Sequence, residues 1–179
     1  RVLFRSSPVA KVTYVEKHFA TGEGTGRRSL NPTTRVFLDE GAQAQMELTQ
    51  MGGVDEADRL NEATLGPDSV LLITERVLTD GDQTAVSKNN ITLKGASSRV
   101  NLISRSVMRG RSRQIFYATL DAQNKCFGHI ECDAIIMDEG SNETMPALKA
   151  QHPDAELTHE ASIGKIANDQ LTKLMSLGL

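Results

Sequence analysis

Residues 42–49 read Ala-Gln-Ala-Gln-Met-Glu-Leu-Thr. Every second residue is apolar and its neighbours are polar. That is the period of a half-buried β-strand, whose successive side chains point to opposite faces. The run Arg35–Leu38 precedes it, and Asp39-Glu40-Gly41 supplies the turn between the two. Working outward, similar strands are predicted over Val2–Phe4, Lys11–Lys17, Val70–Val77, Thr84–Ser87, Asn90–Leu93, Arg99–Met108, Gln114–Leu120 and His129–Met137. Gly, Asn and Asp punctuate them at short intervals. Many short strands without a long helical pattern predict an all-β fold, with sandwich, barrel and solenoid as the choices. Asp80-Gly81 is a hairpin-type dipeptide, but most other gaps are longer and less stereotyped. Gly-Ala corners at 41–42 and 95–96 favour a β-solenoid, although no strict repeat is visible. Its rungs would stack about 4.8 Å apart with one face turned inward.

Two segments break this pattern. Gly52–Gly66 contains the polar run Asp55-Glu56-Ala57-Asp58-Arg59-Leu60 and reads as a short helix or solvated loop between rungs, more simply an excursion than a lid. Near the C-terminus, Asn168 is a helix cap. Leu171, Leu174 and Met175 then share one face, and Gly178 stands at the expected stop. The expected organisation is a β-core over residues 1–163 and the start of a helical segment over 164–179.

Composition narrows the function. The 179 residues suit one domain with a sizeable core. A net charge of -3 gives no bulk electrostatic case for nucleic acid or an anionic membrane surface. The apolar run Val70–Ile73 is far shorter than the ~20 residues of a membrane span. No signal peptide is visible, and a chain opening on Arg1 is expected to lack its natural start. Two cysteines make no disulfide framework, so a reducing, cytoplasmic setting is expected. Aromatic residues are 4% and Trp is absent, which suits narrow layers of Ile, Leu, Val, Met and Ala.

Metal-type residues gather late in the chain. Alternation places Ile130, Cys132, Ala134 and Ile136 on one strand face and His129, Glu131 and Asp133 on the other. Leu157, His159, Ala161 and Ile163 are likewise in phase, with Glu160 opposite. Cys132 and His159 are therefore expected to point inward together. Taken alone, Cys132 reads as a small buried hydrophobe, His159 as a core histidine satisfied by backbone, and Glu160 as a solvated carboxylate. Together they are competent donors for iron or zinc. The 27-residue gap from 132 to 159 is no zinc-finger spacing. His129 and Cys132, at i and i+3, would not readily share a metal, and Cys126 falls in a turn. Gly22–Gly26 lacks the Lys-Ser/Thr and helix of a phosphate loop, and no nucleophile elbow occurs. Arg105, Arg109, Arg111 and Arg113 form a basic cluster able to hold an anion, but more simply a charged strand edge that resists aggregation.

The segment GHIECDAIIMDEG, followed by MPALKA and AELTHEASIGKIANDQLTKLMSLGL, resembles the C-terminal core of the SufB/SufD family, the scaffold proteins of Suf iron–sulfur cluster assembly. Glu16-Lys17-His18-Phe19 and Leu30-Asn31-Pro32 look like the family's earlier strands. The resemblance is strong after Gly110 and looser before it, and is closest to short, SufB-like members. It implies a right-handed parallel β-helix with a short C-terminal α-helix, partnership with a SufC-like ABC ATPase, and dimerisation through the β-helix as a homodimer or SufB/SufD heterodimer. It also implies a scaffold and not an enzyme, a transient iron–sulfur cluster, no nucleotide on this chain, and neither nucleic-acid nor membrane partners. Cys132 matches the cysteine that receives sulfur or holds the nascent cluster, and His159 and Glu160 match the following ligands. Thr158 departs from the acidic residue many SufB proteins carry there. Leu179 falls before the second helix that engages the ATPase. The competing expectations are a SufD-like structural partner without its own cluster and an unrelated β-solenoid binding protein, the latter disfavoured by the few aromatics.

Overall fold

The computed structural model describes residues 1–19, 25–166 and positions 170, 173, 175 and 176. The strands, in chain order, are β1 (Val2–Arg5), β2 (Lys11–His18), β3 (Ser29–Leu30), β4 (Thr33–Leu38), β5 (Gln43–Met51) and β6 (Glu56–Leu65). They continue as β7 (Val70–Thr79), β8 (Thr84–Leu93), β9 (Arg99–Met108), β10 (Arg113–Ala122), β11 (Phe127–Met137), β12 (Ser141–Ala150) and β13 (Glu156–Ile166). One sheet has the order β1-β4-β6-β8-β10-β12, with β3 beside β6. The other has the order β13-β11-β9-β7-β5-β2. The pairings within both sheets are parallel, and the chain deposits one strand in each sheet per turn. The result is a parallel β-solenoid of about six turns. The C-terminal helix expected from Asp169 falls mainly on residues outside the described ones.

The repeat that the sequence hides is a repeat of register. In the second sheet Val70 pairs with Arg99, Arg99 with Phe127 and Phe127 with Glu156, steps of 29, 28 and 29 residues (70 to 99, 99 to 127, 127 to 156). Each inward side chain therefore lies over its counterpart on the next rung. Leu38, Leu65, Leu93 and Ala122 form one such ladder. Val36, Ala63, Ile91 and Leu120 form another, facing Met46, Ile73, Leu102 and Ile130 from the opposite sheet. Small and branched side chains fill this narrow space. Phe4 packs edge-on to Tyr14 with ring centroids 4.7 Å apart, on the first rung.

Three expectations are corrected. Residues 52–66 are not an excursion: they contain β6, a central strand paired on both sides. Its apolar signal is faint because two of its buried, inward positions are Arg59 and Asn61. Thr84–Leu93 is one strand, not two. Asp80-Gly81 links β7 of one sheet to β8 of the other, so its tight turn (Gly81 φ +61°) closes no hairpin. β12 escaped the alternation reading altogether. It is the terminal strand of its sheet, which is where a proline such as Pro146 is tolerated.

Corners set how closely rungs approach. A Cβ on Gly95 would lie 2.0 Å from the Pro67 nitrogen and 2.2 Å from the Gly66 carbonyl carbon, backbone atoms that cannot step aside. Gly95→Ala is expected to cost about 3 kcal/mol or more in chemical denaturation, at the upper end for overpacking. Gly164→Ala, where an added Cβ meets no atom within 4 Å, should change stability by less than ~0.5 kcal/mol.

Candidate functional site

The solenoid interior has two chemistries. The apolar ladders occupy the C-terminal half of the β4–β10 strands and the N-terminal half of the β5–β11 strands. The other half is polar. Arg59 and Glu75, 3% and 1% exposed, lie on facing strands. Arg59 donates from Nη1 to Glu16 and ion-pairs through Nε with Glu75 Oε1 at 3.8 Å. Ser87 Oγ donates to Glu75 Oε2 at 2.8 Å, Asn89 Nδ2 to Ser87 Oγ at 3.3 Å, and Asn61 Nδ2 to Asn89 Oδ1 at 2.8 Å. Burial pushes Glu16 up, but the Tyr14 hydroxyl and the Arg59 charge outweigh it and hold Glu16 below the usual carboxylate range. These residues are passed over in the sequence reading. Their signal was a charged residue in phase with Leu71 and Ile73, as Glu75 is.

Cys132 belongs to this polar half. It stands in one inward ladder with Glu75 and Ser104, and with them, Arg59 and Gln114 it lines a cavity of ≈ 20 Å³. That is space for about one water molecule. Cys132 is buried and its thiol is free. Burial first, then the carboxylates of Asp133, Glu75 and Glu131, push its pKa up to about 12. At neutral pH it is a thiol.

His159 is on the next rung. Ile130 pairs with His159 and Cys132 with Ala161, so the imidazole lies one inward position before the thiol, on the last strand of the sheet. Its Nε2 is buried and has no hydrogen-bond partner. The structure thus brings Cys132 and His159 to adjacent rungs of the same inner face. It does not bring Glu160 to them. Glu160 pairs in register with Glu131 and points to the outer face, where its Oε1 is 3.5 Å from His129 Nε2. In one chain the three expected ligands are a pair and an outlier.

The remaining candidates are placed as follows. Cys126 is buried, its pKa raised by burial, and it lines a groove with Ser98, Phe127 and Asp154 and not the polar cavity. His152 accepts from the Asp154 backbone N–H in a turn. The four arginines are each engaged: Arg105 with Glu131 (3.4 Å) and Asp133 (3.7 Å), Arg109 with Asp80 (3.8 Å), Arg111 with Asp82 (2.8 Å) and Arg113 with Glu143. Arg105 and Arg113 lie on strands and Arg109 and Arg111 in the turn between β9 and β10; both strands are paired on each side, so these ion pairs do not form the expected charged strand edge.

Fold and site together define a parallel β-solenoid that carries thiol and imidazole donors on its last two rungs. Residues 32–179 match the family model described as SUF system FeS cluster assembly, SufBD core domain. The chain belongs to the SufBD family of iron–sulfur cluster assembly proteins. It is 36% identical over 171 residues to an iron–sulfur cluster assembly SufBD family protein of Pyrococcus horikoshii, covering 94% of this chain and 51% of that protein. It is 27% identical over 151 residues to one of Archaeoglobus fulgidus, covering 84% and 41%. A chloroplastic relative in Arabidopsis thaliana is 30% identical over 118 residues, covering 64% and 21%. The chain spans about half the length, or less, of these curated relatives. Among the described residues no helix is long and apolar enough to cross a membrane.

Three measurements check this geometry. Removing the buried cation with Arg59→Met leaves Glu16 and Glu75 facing each other and should cost ~3–5 kcal/mol in thermal or denaturant unfolding. Alkylation of Cys132 by iodoacetamide at pH 8 should be slower than that of an ordinary thiol by orders of magnitude, because only roughly one Cys132 in ten thousand is thiolate there. A thiol pKa raised in the fold favours the neutral form. Its stabilisation is complete below the ordinary value near 9 and is lost as pH rises towards 12. Cys132→Ala should accordingly soften alkaline unfolding within that window.

Proposed function

We propose that this chain is the SufB-like scaffold on which a nascent iron–sulfur cluster is built, and not a turnover enzyme. The observation that carries the reading is the inward pair at the end of the solenoid: a free Cys132 thiol one rung from a His159 Nε2 without a partner. A buried ring nitrogen left unpaired costs free energy, and a metal ion would remove that cost. Iron and sulfide are the cargo. Thiolate and imidazole suit iron, and iron displaces the Cys132 proton that burial otherwise holds in place.

Access comes through the last rung. Strands β12 and β13 end their sheets, so their outer edges carry backbone donors and acceptors that a second chain can pair with. Met145, Leu148 and Ile163 on that rung are 41%, 40% and 48% exposed. A partner seated there, as a homodimer or a SufB/SufD heterodimer, would stand over His159 and one rung from Cys132. Glu160 then contributes from the outer face or across the interface, not beside Cys132 in its own chain. A SufC-like ABC ATPase, acting in the cytoplasm, supplies the movement that opens and closes the rung.

The second reading is a SufD-like structural partner, favoured by the depth of Cys132 and its suppressed ionisation. The unrelated binding solenoid is set aside by family membership. Anaerobic reconstitution with ferrous iron and sulfide separates the two that remain. Wild type should develop cluster absorbance, Cys132→Ser should lose it nearly completely, and His159→Ala should reduce it at least ~10-fold while the fold persists. Unchanged absorbance in Cys132→Ser, or no cluster on wild type in the presence of its ATPase partner, would favour the structural reading.

A further inference from the structure

The outer face of β11 and β13 holds a second group of donors. His129 and Glu131 project from β11 and Glu160 from β13. One ligand atom from each lies within 4.8 Å of the others. Glu131 and Glu160 are directly opposite in register, an arrangement that is unfavourable for like charges on neighbouring strands. Arg105 approaches Glu131 at 3.4 Å but is shared with Asp133, so the two carboxylates have only a shared cation between them.

The imidazole is already oriented. His129 Nδ1 lies 2.8 Å from Thr158 Oγ1, its register partner on the next rung. With Nδ1–H donating to that hydroxyl, Nε2 carries the lone pair and faces Glu160 at 3.5 Å. This is the arrangement by which an outer partner fixes the tautomer of a metal-binding histidine. A separate observation points the same way. Asn101, the register partner of His129 on the preceding rung, has a buried Oδ1 with no hydrogen-bond donor. An oxygen in want of a positive or hydrogen-bearing neighbour thus borders the group. The side chain of Glu160 is 68% exposed, so a rotamer change is enough to bring three donors to the ~2.0–2.2 Å of metal coordination.

We propose that His129, Glu131 and Glu160 form an outer-face binding site for one divalent first-row transition-metal ion. One imidazole and two carboxylates select zinc, ferrous iron or cobalt over magnesium and calcium, which favour all-oxygen shells. Thr158 is its positioning residue. The site lies on the opposite face of β11 from Cys132; it shares only Glu160 with the proposed cluster scaffold, and His129 and Glu131 are its own.

The test uses the full chain with Zn(II) in equilibrium dialysis and Co(II) by absorption. Wild type should bind one ion per chain. A Cys126→Ser, Cys132→Ser double variant should retain that ion, although it loses cluster reconstitution. His129→Gln combined with Glu131→Gln should weaken binding by at least ~10-fold with an unaltered melting transition, and Thr158→Val, which frees the ring, should weaken it and shift the Co(II) bands. The proposal is overturned if the double cysteine variant abolishes binding, if the His129/Glu131 variant binds as wild type does, or if wild type binds no ion.

Discussion

The structure depends on parallel, in-register stacking. Once Val70 pairs with Arg99 and Arg99 with Phe127, every inward position of one turn is fixed over an inward position of the next. A residue's environment is therefore set by its counterparts 27 to 32 positions away, and only weakly by its sequence neighbours. This constraint places Cys132 over Ser104 and Glu75, and under Ala161, in a single column. It also decides that Glu160, adjacent to His159 in sequence, belongs to the other side of the wall.

The interior's division into an apolar and a polar half follows from the same constraint. Columns of Leu, Ile and Ala carry the hydrophobic stabilisation and need only be narrow. Columns containing Arg59, Glu75, Asn61 and Asn89 must satisfy one another, because each is buried among backbone groups already used by the sheets. Their reward is a polar interior into which a thiol can face without contacting bulk water. Burial first, and then the neighbouring carboxylates, keep that thiol protonated.

Much of this was legible in the sequence. Period-two alternation located most strands and put Cys132 and His159 on the inward face, and the late motifs named the family. What escaped had a physical reason. β6 carries Arg59 and Asn61 inward, so the polar interior imitates a surface loop. β12 has no apolar periodicity and includes a proline, because it is a terminal strand. The register step could not be read, since rungs repeat a geometry and not a set of residues. Alternation already puts Glu160 opposite His159, and only the family resemblance groups it with Cys132; His129 stands three residues from Cys132, on the other face of its strand. The stacked rungs join His129 to Glu131 and Glu160 instead.

The central claim is that cluster chemistry belongs to the inward pair on the last two rungs. It is tested most directly by anomalous diffraction at the iron absorption edge from crystals of the anaerobically reconstituted protein. The account predicts iron within bonding distance of Cys132 Sγ, with His159 Nε2 in the same coordination sphere. Iron found only on the outer face, with the Cys132 thiol unliganded, would contradict it.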